Sequence, residues 1–309
     1  MPEPGPQPWL TGCCLVFRCL VFRCLVFRRL ALRCLTAVVP CAAAVVLSLR
    51  LAGGAAFAQD TPYVPDEWKY GRREGGATLS YCLDSRDPDL PVARKIGQAI
   101  AAALLLEGRP HEIGQIASGE DLDNLYRAFL ETCDVFLGFK LIADAYPPWL
   151  AVTRPYYRTS YVVVTADKEW QALADMPPDR AIGATLGTSA DLRLIQYLQS
   201  LPGDRGWRRF PMGTDELALR ALVRGTVGAA LVWGPSLWAL RGSDPAFAAL
   251  RTIPSRPLPA ATADVGATVL ARDTFLRANV DQAIAALTAD GTIGSILEAE
   301  KFPAVPVPP

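Results

Sequence analysis

Residues Cys133 to Val164, CDVFLGFKLIADAYPPWLAVTRPYYRTSYVVV, decide how the rest of the chain is read. Val135-Phe136-Leu137-Gly138 is a short apolar run of the kind that forms a buried parallel strand. A polar and aromatic loop follows, and then Thr153-Arg154-Pro155-Tyr156-Tyr157-Arg158. Tyr161-Val162-Val163-Val164 is strongly β-prone and reads as the start of a new element. Pro155 fixes φ at the exit, and Tyr156 and Tyr157 are amphipathic enough to line a wet cleft. The order predicts a chain leaving one α/β lobe and entering a second.

Upstream, Leu79-Ser80-Tyr81-Cys82-Leu83 reads as a first strand. Val92 to Leu106 repeats apolar residues at helical spacing and is stopped by Gly108-Arg109-Pro110. Glu112 to Ala117 is expected as a second strand and Asp121 to Glu131 as a second helix. Strand, helix, strand, helix, strand is a doubly wound parallel start, with ligands expected beyond the strand C-termini. Downstream, Ala181 to Ala184 and Val227 to Val232 read as strands. Helices are expected over Leu192 to Leu201 and Leu217 to Val223, the second capped by Thr214-Asp215-Glu216. The Pro-rich segment Ile253 to Pro259 marks a second crossover. Gly266 to Leu270 then returns as a strand, followed by helices over Phe275 to Ala289 and Ile293 to Glu300.

The chain has 309 residues, enough for two domains of ordinary size. Its zero net charge hides an asymmetry. Removing the six Arg and one Glu of residues 1–58 from 31 basic and 31 acidic residues leaves 25 and 30. A mildly acidic body argues against a nucleic-acid partner. Arg28, Arg29 and Arg33, then the uncharged run Leu35 to Leu49, then Ala56-Phe57-Ala58 read as a secretory signal cleaved between Ala58 and Gln59. The run is shorter than the roughly 20 residues that span a bilayer. Before it, LVFRC, LVFRC and LVFRR repeat from Leu15 to Arg29; their period of five builds no amphipathic face and reads as low-complexity extension.

The residues quoted above resemble the type II periplasmic solute-binding proteins (bacterial extracellular solute-binding family 3), in which a Pro-Tyr-Tyr crossover follows a strand and loop. Ala289-Asp290-Gly291-Thr292-Ile293 is similar to a turn near the C-terminus of that family. CDVFLG, TRPYYRTSYVVV and LVWGP look like the branch associated with quinoprotein methanol dehydrogenases. The resemblance implies two lobes, each a mostly parallel sheet flanked by helices, joined by two hinge strands. It places residues 77–158 with 264–309 in one lobe and 159–263 in the other, after a leader (1–58) and a loose lead-in (59–76). It implies a periplasmic, monomeric binding protein without cofactor. Its partners would be a small-molecule ligand with an ABC permease, or a PQQ-dependent dehydrogenase with its cytochrome c. A dehydratase-like enzyme on the same fold is the alternative.

The expected cleft draws on both lobes. Asp84, Ser85 and Arg86 follow the first strand; Phe139 and Lys140 follow the third; Trp149, Arg154, Tyr156 and Tyr157 approach and enter the crossover. Gly187, Thr188 and Ser189 sit at a helix N-terminus, where backbone N–H groups favour an anion, although simple N-capping explains the hydroxyls equally well. Trp233 and Gly234 close a strand. Amino-acid-binding members of the resembled family carry an Arg where Pro147 or Pro148 stands here, and an Asp where Trp233 stands. Without both clamps a zwitterion loses two charge-assisted contacts, each worth about 1.5–3 kcal/mol. The resemblance therefore implies a solute other than an amino acid.

Catalytic sets are poorly supplied. His111 is the only His and reads as a surface or strand-edge residue rather than a ligand or catalytic base, so no hydrolytic or zinc set is expected. Asp84, Asp87 and Asp89 suggest a hard-cation loop, but the Gly and distal Glu of a calcium loop are missing, and a solvated turn is expected. Cys82 and Cys133 are the thiols outside the leader. An even pair in an exported chain points to a disulfide, with two buried thiols as the alternative.

Overall fold

Two long strands tie the sheet together. In this computed structural model, which describes residues 77–114, 122–142, 145–202 and 206–308, β4 (Leu150–Thr165) and β9 (Thr262–Leu270) lie side by side and antiparallel. The signal, repeat and lead-in expected over residues 1–76 lie outside the described residues. On one flank of this pair come β3 (Val135–Lys140), β1 (Thr78–Asp84) and β2 (Glu107–Ile113), mutually parallel. On the other come β7 (Ala229–Trp233), β5 (Ala181–Thr185) and β6 (Arg208–Met212), also parallel. The resulting order is β2-β1-β3-β9-β4-β7-β5-β6, with β8 (Arg251–Ile253) and β10 (Ala304–Pro306) added to β4. Residues 150–160 of β4 pair with β9, and residues 161–165 pair with β7. One strand thus carries two half-sheets, which makes the α/β fold two-lobed.

The crossover is therefore one strand of 16 residues, not a strand start placed after a Pro break. Pro155 is accommodated by two register shifts, between Val152 and Pro155 and between Pro155 and Tyr157. Pro155 itself stays in register with Gly266, and the irregularities on either side of it disrupt the ladder locally where its N–H is missing. The second strand is also displaced from its expectation. Gly108-Arg109-Pro110 does not merely stop a helix but lies inside β2, where Pro110 pairs with Tyr81. Among the described strands β2 pairs only with β1, and such an edge tolerates Pro. His111 lies on the same edge strand.

Helix α1 (Leu90–Ala103) starts with Pro91 in its first turn and buries Val92, Ala93, Ile96 and Ile100. Gly97 lets it sit close to the sheet, since a Cβ there would fall 2.5 Å from the Tyr81 ring. Helix α2 (Leu122–Glu131) packs Leu125, Ala128 and Phe129 into a separate cluster with Phe136, Leu150 and Leu270. Cys82 and Cys133 meet in that cluster as a disulfide, with Cα atoms 5.6 Å apart. The second lobe carries α3 (Ser189–Ser200), α4 (Asp215–Val223) and α5 (Gly234–Ser243). Strand β6 and helix α5 were not expected from the sequence. Trp233-Gly234-Pro235 closes the strand and at once opens a helix: Pro235 sits in the first turn of α5, where it needs no N–H partner. Helices α6 (Thr274–Ala289) and α7 (Thr292–Ala299) return to the first lobe, where both pack near α1.

Candidate functional site

The C-terminal ends of β1 and β3 converge with β4 and, from the other lobe, β7. The turn after β1 brings three aspartates together. Asp84 is buried and holds Arg86, whose Nε and second guanidinium nitrogen donate to its two oxygens at 3.2 and 3.1 Å. Ser85 is exposed beside it. Asp89 is also buried, and accepts the hydroxyl proton of Tyr157. Half-buried Asp87 lies over the end of β3: a Cβ at Gly138 would come within 3.1 Å of Asp87 Oδ2. Gly138 adopts a φ of +88°, open to glycine without strain. Its N–H donates to the Tyr156 hydroxyl at 2.8 Å.

Burial sets the electrostatics of this turn. It pushes the Asp87 carboxyl up to about 8, with Asp89 and Asp84 adding repulsion and Lys140 and Arg86 opposing it. Asp89 is raised as well, first by burial, and the Tyr157 hydrogen bond works against the shift. Burial likewise raises both tyrosine hydroxyls well above their ordinary range. A solvated acidic turn was expected here. Instead the carboxyls are packed beneath β3 and β4 with a single adjacent guanidinium, that of Arg86, on Asp84. Tyr156 and Tyr157 do not line a wet cleft; they are 0% and 1% exposed and support the turn from behind.

Lys140, the last residue of β3, crosses to the second lobe. Its Nζ stands 4.2 Å from the centroid of the Trp233 ring and 5.5 Å from that of Tyr161. It donates to the Tyr161 hydroxyl at 3.4 Å. The two rings are 4.8 Å apart and nearly buried. Trp233 is held by its backbone N–H, which donates to Asp215 Oδ2 at 3.3 Å, while Thr185 donates to the other oxygen. Gly234 follows at the start of α5, where a Cβ would come within 2.8 Å of the Ser160 carbonyl oxygen.

The remaining expected residues are placed elsewhere. Phe139 packs on Phe136 and Tyr146, and Trp149 on Tyr126, all in or against the cluster around the disulfide. Arg154 gives its backbone N–H to Asp281 at 2.7 Å and lines a hollow of about 460 Å³ between β4 and α6. At the α3 N-terminus the anion position is taken from within. Gly187 N–H donates to Asp191 Oδ2 at 3.1 Å, and Thr188 accepts from Asp191 N–H while donating to the Thr185 carbonyl. Ser189 is exposed. Asp191 itself is fully paired with Arg209 at 2.6 and 2.7 Å.

Tyr161, Asp191, Asp215 and Arg209 are not among the site residues expected from the sequence. Arg209 lies on the unrecognised strand β6, and its partner is 18 residues away, so no local pattern joins them. Among the described residues no group of three or more His, Cys, Asp or Glu could hold a metal ion, and no helix is long and apolar enough to cross a membrane.

No family model matches the chain, and no curated protein matches it. Solved structures do. A protein crystallised with L-arginine shares 20% identity at a TM-score of 0.53, covering 75% of this chain and 93% of its own. Substrate binding domain 2 of GlnP from Lactococcus lactis, in an open conformation, shares 17% identity at a TM-score of 0.54 over 77% and 97%. A histidine kinase sensor domain similar to periplasmic binding proteins shares 16% identity at 0.54 over 76% and 100%. At such identities the likeness is one of fold: the chain has the two-lobed α/β architecture of the type II periplasmic binding proteins.

Proposed function

We propose that the chain is an exported, periplasmic solute-binding protein, with no catalytic role, whose ligand is not an amino acid. Residues 77–158 with 264–309 form one lobe and residues 159–263 the other, hinged on β4 and β9. The ligand lies between the Asp84–Asp89 turn of the first lobe and Trp233 of the second. The observation that carries this reading is the position of Trp233. It ends β7 at the lobe junction, faces Tyr161 and Lys140, and offers no carboxylate to a ligand ammonium. Pro147 and Pro148 offer no guanidinium to a ligand carboxylate. A zwitterion there would leave charge unpaired, which costs more than aromatic contact returns. The fold, shared with substrate-binding domains, supports delivery to an ABC permease.

A second reading, an accessory to a PQQ-dependent alcohol dehydrogenase and its cytochrome c, is favoured by a different observation. The chain's own Lys140 reaches into the lobe junction, which suits a cleft that faces a protein partner. Calorimetric titration against the common L-amino acids tests the main reading. None is expected to bind tighter than about millimolar, roughly −4 kcal/mol. A micromolar binder among them would overturn the assignment of Pro147, Pro148 and Trp233. Genes for a permease or for a dehydrogenase beside this one separate the two partners.

A further inference from the structure

An ammonium group is strongly hydrated, and a lysine at a strand end normally extends into water. Lys140 does not. Its Nζ lies 4.2 Å from the centroid of Trp233, and it makes one long hydrogen bond, 3.4 Å, to Tyr161. Among the described residues it has no ion pair. Two ring faces at cation–π distance are the part from which sites for alkylammonium ligands are built, and Trp233 and Tyr161 present such a pair to Lys140. The rings are supplied by the second lobe and the lysine by the first, so the arrangement bridges the cleft assigned above.

We propose that Lys140 is a tethered occupant of an ammonium subsite in the cleft, which thereby rejects cationic and zwitterionic solutes. This inference rests on the reading of the lobe junction as the binding cleft. It also says what the ligand presents there. The N–H bonds of Lys140 not spent on Tyr161 call for an oxygen acceptor: a carboxylate, a carbonyl or a hydroxyl.

The test removes the tether and supplies it again. K140A, K140R, K140A/W233L and the wild type are titrated with n-butylammonium, the severed side chain, and with tetramethylammonium. K140A should bind n-butylammonium at least about tenfold more tightly than the wild type. K140R should show no gain, and W233L in the K140A background should abolish it. A folded K140A that binds no better than the wild type overturns the inference, as does a gain that survives W233L. A measurement on the wild type stands apart from the variants' folding. The Lys140 methylene protons should be shifted upfield by the Trp233 ring current and lose that shift in W233L; unshifted protons in the wild type overturn the inference too. The amino-acid titration of the wild type is unaffected by any of these outcomes, so the subsite can fail while the solute-binding reading stands.

Discussion

At the β1–α1 turn of the first lobe, Asp89 accepts from the Tyr157 hydroxyl and Asp87 lies against Gly138 at the end of β3. At the β5–α3 turn of the second lobe, Asp191 is buried and meets a two-pronged guanidinium and a backbone N–H. Both turns join a parallel strand to the helix that follows it. In the second lobe the helix is capped by Thr188, and the carboxylate that would repel an anion is neutralised. In the first lobe Asp89 stands at the N-cap position, but its side chain caps nothing and turns to Tyr157 instead. A buried carboxylate that lacks a cation is resolved by taking up a proton. The second lobe pairs its buried carboxylate with a guanidinium, whereas burial pushes Asp87 and Asp89 of the first toward the neutral form.

The largest consequence is a difference in pH response. Asp87 titrates at 3.8 in its ordinary state and at about 8 in the folded protein. Between those values the folded chain holds a proton that the unfolded chain releases. Stability should therefore fall as pH rises across this window, by up to about 1.4 kcal/mol per unit, and level off above it. D87N carries no such proton. Urea denaturation between pH 5 and 8 should give a shallower fall for D87N, with the variant gaining on the wild type as pH rises. Parallel curves for the two proteins would show that the turn is solvated after all.

Next in size is the staple. The first lobe alone, among the described residues, is cross-linked, and Cys82–Cys133 closes a loop spanning 51 residues. On the chain-entropy model such a loop contributes about 4 kcal/mol. C82A/C133A should lose an amount of that order in the same denaturation experiment, at any pH, and should leave the slope set by Asp87 unchanged. A loss below about 1 kcal/mol would mean that the unfolded chain is already constrained there.

These two features differ in how far the sequence revealed them. The cysteines were legible because thiols of exported chains come in pairs and because one lies in a recognisable strand and the other just before one. Parallel strands, their helices and the crossover position were legible from apolar runs and turn residues. The roles of Tyr156 and Tyr157 were not. Their hydroxyls meet partners 18 and 68 residues away, Gly138 and Asp89, and an amphipathic ring reads the same whether its polar end finds water or protein. The continuity of β4 was hidden by Pro155, which looks like a break until bulges are known to absorb it. The ring partners of Lys140 come from β4 and β7 at once, so only the assembled junction shows what that lysine does.

The smallest of the three effects bears most directly on the contrast between the lobes. Asp191 is 2% exposed, and the side chain of Arg209 is 23% exposed. R209M keeps most of the arginine's apolar stem but leaves the carboxylate buried with only backbone N–H and solvent-edge contacts. Removing one member of a buried pair costs about 3 kcal/mol, because the remaining charge keeps its desolvation penalty without its compensation. D191N/R209M should recover part of that loss, since neither charge then remains. Tm and urea midpoints of the two variants at neutral pH decide the point. A cost near 0.5 kcal/mol, the size typical of solvent-exposed pairs, would mean that Asp191 is effectively wet. The second lobe would then owe its charged turn to solvent, leaving Arg209 no part in the contrast with the first.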